Sequence, residues 1–248
     1  ERLQRALDTC ETLARRHDCV VANPPYMGSS SFGPFMSRWV KKGYPDVKSD
    51  LCTCFIERGF SLAKDRGYAA MITMQSWMFL GSFEGMRSSL IGGKSILSML
   101  HLGYGAFDSL NSKVVNVTAD VVYNGRAACE GVYVRLVDIN GGEAKRRKAL
   151  EAIGDPDCGR FYRRDAETFK QIPGTPIAYW ASDGLFDAFE VGPLAKKVPV
   201  KKGLDTGDND RFLRYWHEVD FSKLGIGYDS ARSFLQSVRS STGAEYTV

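Results

Sequence analysis

Cys19-Val20-Val21-Ala22 is a short, wholly apolar run that stops at Asn23-Pro24-Pro25-Tyr26, and this junction constrains the chain more than any other feature. An apolar run of this length ending at a polar-proline turn is the pattern of a buried parallel strand whose carboxyl end opens into a loop. The two prolines remove two backbone donors and fix φ, so the strand cannot continue past Asn23. In open α/β sheets ligands gather at the carboxyl ends of the strands, so the loop after Ala22 is where chemistry is expected.

The rest of the chain supplies partners for such a strand. Residues 1–17 predict an exposed helix with a weak stripe of Leu3, Ala6, Leu7, Cys10 and Leu13. After Tyr26 a loop is expected through Gly28 and Gly33 to about Lys48. A helix follows, capped by Ser49 or Asp50, with Leu51, Phe55, Gly59, Leu62 and Ala63 on one face and Gly67 ending it. Tyr68-Ala69-Ala70-Met71-Ile72-Thr73 predicts a second buried strand, residues 82–90 a helix, and residues 96–100, 114–123 and 132–137 further strands. This succession predicts an α/β sheet with parallel pairing. Residues 144–192 carry weaker helical and turn signals, and a Gly/Asp-rich loop near residue 201 reads as the start of a separate module.

Composition excludes several classes. Lys and Arg number 33 against 29 Asp and Glu, a mild excess that permits a nucleic-acid partner without arguing for one. The basic runs Lys145-Arg146-Arg147-Lys148, Arg163-Arg164, Lys196-Lys197 and Lys201-Lys202 read as solvated surface. The six cysteines lack metal-binding spacing; Cys52 and Cys54 diverge on a helix, so no metal site is expected. Scattered free cysteines fit a reducing, cytoplasmic compartment, and the longest apolar stretch is too short to span a bilayer.

The tetrad itself is chemically pointed. Asn23 offers a side-chain carbonyl, the Pro24 carbonyl is held with no competing amide from Pro25, and Tyr26 supplies a flat ring. An exocyclic amine is a poor nucleophile because its lone pair is conjugated into its ring. Two acceptors on its two hydrogens favour the rehybridised nitrogen and fix its line of attack on a methyl sulfonium, with no strong base required. A base inside a duplex must first be flipped out and stacked, a task for an aromatic face.

Asn-Pro-Pro-Tyr after a strand resembles the catalytic signature of the adenine-N6 and cytosine-N4 methyltransferases. The downstream order is similar to the gamma-type adenine-N6 DNA methyltransferases of restriction-modification and phage-defence systems, including the large BREX and phage-growth-limitation enzymes. Tyr44-Pro45-Asp46 through Asp50 to Gly59 resembles the helix after the catalytic loop, and Gly67 to Thr73 with Ser76-Trp77 the next strand and its turn. His101 to Phe107 ahead of Val114 to Ala119 resembles the segment whose aromatic residue helps hold the flipped base. Gly203-Leu204-Asp205-Thr206-Gly207-Asp208-Asn209-Asp210-Arg211-Phe212-Leu213-Arg214 looks like the opening of a target-recognition region.

The resemblance implies site-specific adenine-N6 methylation of double-stranded DNA with S-adenosylmethionine, in the cytoplasm and alongside other subunits of a defence system. It implies Asn23, Pro24, Pro25 and Tyr26 as catalytic, Tyr26 and Phe107 as base-stacking, Asn23 and Leu51 as cofactor-facing, and Arg211 and Arg214 as DNA contacts. The implied fold is the C-terminal part of a Rossmann-like methyltransferase sheet plus the start of a target-recognition region. Residues 1–126 would form a catalytic half-domain, 127–200 a connecting region and 201–248 the incomplete recognition region.

The glycine-rich turn and acidic residue by which this family holds its cofactor are not found among the 248 residues. The chain, which opens on Glu1 within a helical pattern, therefore reads as a segment of a longer protein, inactive by itself, with an unpaired edge on the Cys19 to Ala22 strand. The tetrad also serves RNA and protein methyltransferases, and a non-catalytic DNA-binding or assembly module is the other alternative.

Overall fold

The structure, a computed structural model, describes residues 1–107, 115–192, 215–218 and 220. The chain divides into two compact units, Glu1–Pro193 and Leu194–Val248. In the second, the turn Trp216–Glu218 is described, with Tyr215 stacked on His217. Val114, Arg211, Arg214 and the rest of the expected Gly203 to Arg214 loop lie outside the described residues.

In the first unit, helix α1 (Arg2–Ala14) is exposed along its length, as its weak stripe predicts. Then come β1 (His17–Ala22), α2 (Pro34–Gly43), α3 (Leu51–Leu62), β2 (Ala63–Met74), α4 (Glu84–Gly93), β3 (Ser95–Gly103) and β4 (Val117–Tyr123). They are followed by β5 (Gly131–Arg135), α5 (Gly142–Gly154), β6 (Phe161–Arg164) and α6 (Asp183–Glu190). Helix α2 occupies part of the expected loop 28–48: Gly33 is its cap and Pro34 its first residue, where a missing N–H costs no hydrogen bond.

The strands form one sheet in the order β1-β2-β4-β3-β5-β6. Pairing is parallel for β1–β2 and β3–β5, and antiparallel for β2–β4, β3–β4 and β5–β6, which corrects the expected parallel sheet. Parallel neighbours need a crossover, and among the described residues no helix separates β3 from β4. Because β2 and β3 both oppose β4, strands β1, β2, β3 and β5 run the same way, and their carboxyl ends line one edge.

The apolar run of β1 predicts burial on both faces, yet β1 is an end strand and Val21 is 78% exposed. One face of the sheet carries the main core, including Ile56, Met71, Trp77, Phe83, Met99 and Tyr133. On the other, a smaller cluster of Val134, Leu136, Ala149 and Ala152 lies between β5 and α5. Helix α3 differs in detail from expectation for identifiable reasons. Helix α3 buries Cys52, Thr53, Cys54, Ile56 and Gly59, about one residue round from the expected face, leaving Leu51 half-buried and Phe55 exposed. Gly59 faces Met71 so closely that a Cβ would come within 2.3 Å of its methyl, so the smaller residues face the sheet. The helix ends at Leu62 rather than Gly67, which lies in β2, where a Cβ would meet the Asp18 carbonyl at 2.8 Å.

Lys145 corrects the reading of its basic run as solvated surface, being 2% exposed. Its ammonium donates to the carbonyls of Leu102 (2.5 Å), Leu136 (2.8 Å) and Ile139, three donors matched to three acceptors beyond the ladders of β3 and β5. Arg87, also fully buried, fastens the main core by donating to the Trp77, Leu80, Gly174 and Thr175 carbonyls.

Candidate active site

The Asn23 to Tyr26 loop leaves the carboxyl end of β1 and is fixed by its neighbours on both sides. Downstream, the Leu51 N–H donates to the Met27 carbonyl and the Ser29 N–H to the Ser49 carbonyl, each at 2.9 Å, around a bridge between Gly28 and Asp50. Asp50 also caps α3, its carboxylate accepting the Cys52 N–H at 2.9 Å. The start of α3 therefore positions the loop. Pro24 is buried, whereas Asn23 and Pro25 are exposed, so the loop is anchored at one residue and presents the next to solvent.

Tyr26 is half-buried, and its hydroxyl lies 3.2 Å from the Ile72 carbonyl of β2 and 3.4 Å from Asn23 Oδ1. With one proton to give, the hydroxyl best serves Ile72, and Asn23 Oδ1 keeps acceptor capacity for another donor. Burial, with the nearby Cys52 thiol second, pushes the Tyr26 phenol up to about 12, so it stays neutral near pH 7 and is no general base. Leu51 enters the site through its backbone, as the amide that holds Met27. Burial also raises the Cys52 and Cys54 thiols, the latter to about 12. Among the described residues no group of His, Cys, Asp and Glu is arranged to hold a metal ion.

Phe107 follows β3 after Gly103 and Gly105, both with positive φ (67° and 66°), and is half-buried. It lies on the same edge as Tyr26, but the ends of β1 and β3 are three strand spacings apart, about 14 Å. Bringing both rings to one base requires the chain after β3 to reach back across β4 and β2.

The same edge holds a polar chain that the sequence reading did not single out. His101, 3% exposed, has Nε2 2.6 Å from Gln75 Oε1 and Nδ1 2.9 Å from the Tyr179 hydroxyl. An amide oxygen only accepts, so Nε2 carries the hydrogen and the Tyr179 hydroxyl donates to Nδ1. Burial, then the charges of Arg135 and Lys145, lower the His101 pKa to about 4, which keeps this neutral tautomer. Trp180 packs edge-on to Tyr179 and beside Phe79 and His101, and the Arg135 guanidinium lies 5.3 Å from its ring centre. These residues are separated by up to 105 positions, from Gln75 to Trp180, and no local motif joins them.

Residues 4–107 match the Eco57I restriction-modification methylase family. The adenine-specific methyltransferase BrxX of Escherichia coli O9:H4 (strain HS) is 43% identical over 220 residues, 87% of this chain and 18% of that protein. The adenine-specific methyltransferase PglX of Lacticaseibacillus casei (strain Zhang) is 37% identical over 227 residues, 90% of this chain and 19% of that protein. A solved chain from a type I restriction-modification system superimposes with a TM-score of 0.50 at 16% identity, covering 75% of this chain and 43% of that one, and so shares its fold. The chain thus spans about a fifth of the length of the two methyltransferases it matches. Among the described residues no helix is long and apolar enough to cross a membrane. With the tetrad at a strand end, the chain is similar over nine-tenths of its length to a part of the adenine-specific methyltransferases BrxX and PglX, and its residues 4–107 match the Eco57I restriction-modification methylase family.

Proposed function

We propose that the protein of which this chain is a segment methylates the exocyclic N6 of adenine in double-stranded DNA, within a restriction-modification or phage-defence system. The observation that supports this most is the fixed loop that exposes Asn23 beside a Pro24 carbonyl with no competing amide. Asn23 Oδ1 and the Pro24 carbonyl accept the two N6 hydrogens, which draws the nitrogen lone pair out of conjugation and aims it. Tyr26 serves by its face and by its tie to β2, not by its proton, since the phenol stays neutral. Phe107 is the second stacking ring, and Arg211 and Arg214 are DNA contacts of the recognition region.

S-adenosylmethionine supplies the methyl group as a sulfonium. The described residues do not fit its adenosine half: no strand opening through a glycine-rich turn into a helix is found among them. They fit the acceptor side alone, so the isolated segment is expected to bind cofactor poorly, which isothermal titration checks; micromolar affinity overturns that part. The decisive test of the function is Asn23→Ala in the full-length protein. Lost methylation with retained DNA binding supports catalysis at this loop, and unchanged methylation refutes it in favour of a binding or assembly role.

A further inference from the structure

The Arg135 guanidinium is the least accounted-for charge at the functional edge. Its Nε is buried without a hydrogen-bond partner, and among the described residues the group's one ordered contact is the Trp180 ring. It lines a cavity of about 220 Å³ with Asp138, Gly159, Arg160 and Tyr162, where β5 ends and β6 begins. The other charges there are already matched: Arg160 grips Asp138 with two hydrogen bonds, at 2.6 and 2.8 Å. That pairing, with a smaller effect from Arg135, holds the Asp138 carboxyl down to about 2. Tyr162 directs its hydroxyl to the Gly159 carbonyl. The cavity therefore carries one net positive charge, on a guanidinium 5.3 Å from the Trp180 ring centre.

We propose that this cavity binds a backbone phosphate of the duplex DNA substrate, with Arg135 as its ligand and Trp180 as the plate that orients it. The proposal rests on the DNA reading above and adds a site to it. A guanidinium stacked on an aromatic ring loses little freedom on binding and offers paired donors to two phosphate oxygens. Its position fits a flanking phosphate rather than that of the target nucleotide. Arg135 ends β5, four strand spacings or about 19 Å along the edge from β1, equal to between five and six base-pair rises of about 3.4 Å. The cation and the acceptor loop thus engage one duplex at two separated points.

The test is the salt dependence of binding between this chain and a fluorescent duplex, read by anisotropy for wild type, Arg135→Gln, Arg135→Lys and Arg146→Gln. The slope of log affinity against log salt is expected to shrink by about 0.9 in Arg135→Gln. It stays near wild type in Arg135→Lys, which keeps the charge, and in Arg146→Gln, which removes an exposed charge on α5. In parallel, the Arg135 Nε–Hε resonance of the wild type is followed on adding the duplex or inorganic phosphate, a readout that requires no variant to fold. A shift with the duplex supports the proposal. Duplex binding with an unchanged Arg135→Gln slope, or an equal loss in Arg146→Gln, overturns the site and leaves the DNA reading standing. A shift with inorganic phosphate alone overturns it in favour of a free-anion site. A wild-type chain with no salt-dependent duplex affinity overturns the site, while the DNA reading, which concerns the full-length protein, is judged by its own test.

Discussion

Arg87→Met puts the buried polar framework under the most direct strain. The guanidinium is 1% exposed and makes five hydrogen bonds to four carbonyls: Trp77 (2.7 Å), Leu80 (2.8 Å), Thr175 (3.0 Å) and Gly174 twice (3.1 and 2.5 Å). Methionine keeps much of the stem volume and removes every donor. The Leu80 and Gly174 carbonyls are partly accessible and can recruit water, whereas those of Trp77 and Thr175 are buried and lose their partner. Leaving two buried acceptors unsatisfied at ~1–3 kcal/mol each gives a loss of about 4 kcal/mol. With a urea m-value of about 2 kcal/mol/M, the unfolding midpoint should fall by about 2 M. Arg87→Lys, with three donors instead of five, should lose roughly half as much and remain measurable if the methionine variant does not fold. Urea unfolding followed by circular dichroism is the assay. A loss below about 1 kcal/mol for Arg87→Met would refute the view that this guanidinium ties the turn after β2 to residues 174–175.

Other parts of the molecule make separate predictions. Asp120 on β4 is buried with Oδ1 unpartnered, and desolvation raises its pKa to about 7. Between its unfolded value near pH 4 and pH 7 the folded state holds the extra proton, so stability should fall as pH rises, by up to ~4 kcal/mol in total. Asp120→Asn should abolish that slope in unfolding titrations from pH 5 to 8, and a wild type equally stable at both ends sinks the idea. Gly131→Ala should cost ~1–3 kcal/mol, because its Cβ would come within 2.6 Å of the Ile96 carbonyl, which is backbone and cannot swing away. Gly59→Ala should change stability by less than about 1 kcal/mol, since the colliding Met71 methyl is mobile and alanine favours the helix; a reversed order of the two losses contradicts the packing. Val21→Lys on the end strand β1 should leave stability within about 0.5 kcal/mol and reduce self-association in sedimentation velocity, and identical concentration dependence in both proteins argues against an adhesive edge.

What could be read from the sequence was local. The apolar run before Asn23, the Asp50 cap and the β-branched alternation of β4 each act over a few residues, and each stands where expected. Strand direction was misread because pairing is decided between distant segments: β2 meets β4 across about fifty residues, and neither carries a mark of its partner. Strand β6 escaped notice because Phe161-Tyr162-Arg163-Arg164 is short and charged, and it forms by adding to an edge already made by β5. Helix α2 was hidden by Gly33-Pro34, a pair that signals a turn as readily as a helix start. At the site the tetrad was legible because its chemistry is contiguous. The Gln75, His101 and Tyr179 chain was not, since only the fold brings those three together.

The paired backbone bonds between Met27 and Leu51 and between Ser29 and Ser49 have a consequence for how such a site can be altered. Every residue has a backbone carbonyl and every residue but proline an N–H, so other substitutions at those four positions can change shape and charge around the acceptor loop without unfastening it. Redesign of what the site admits is therefore best aimed at these surrounding side chains, while a proline at Leu51 or Ser29 would remove the fastening itself and release Asn23 from its bearing.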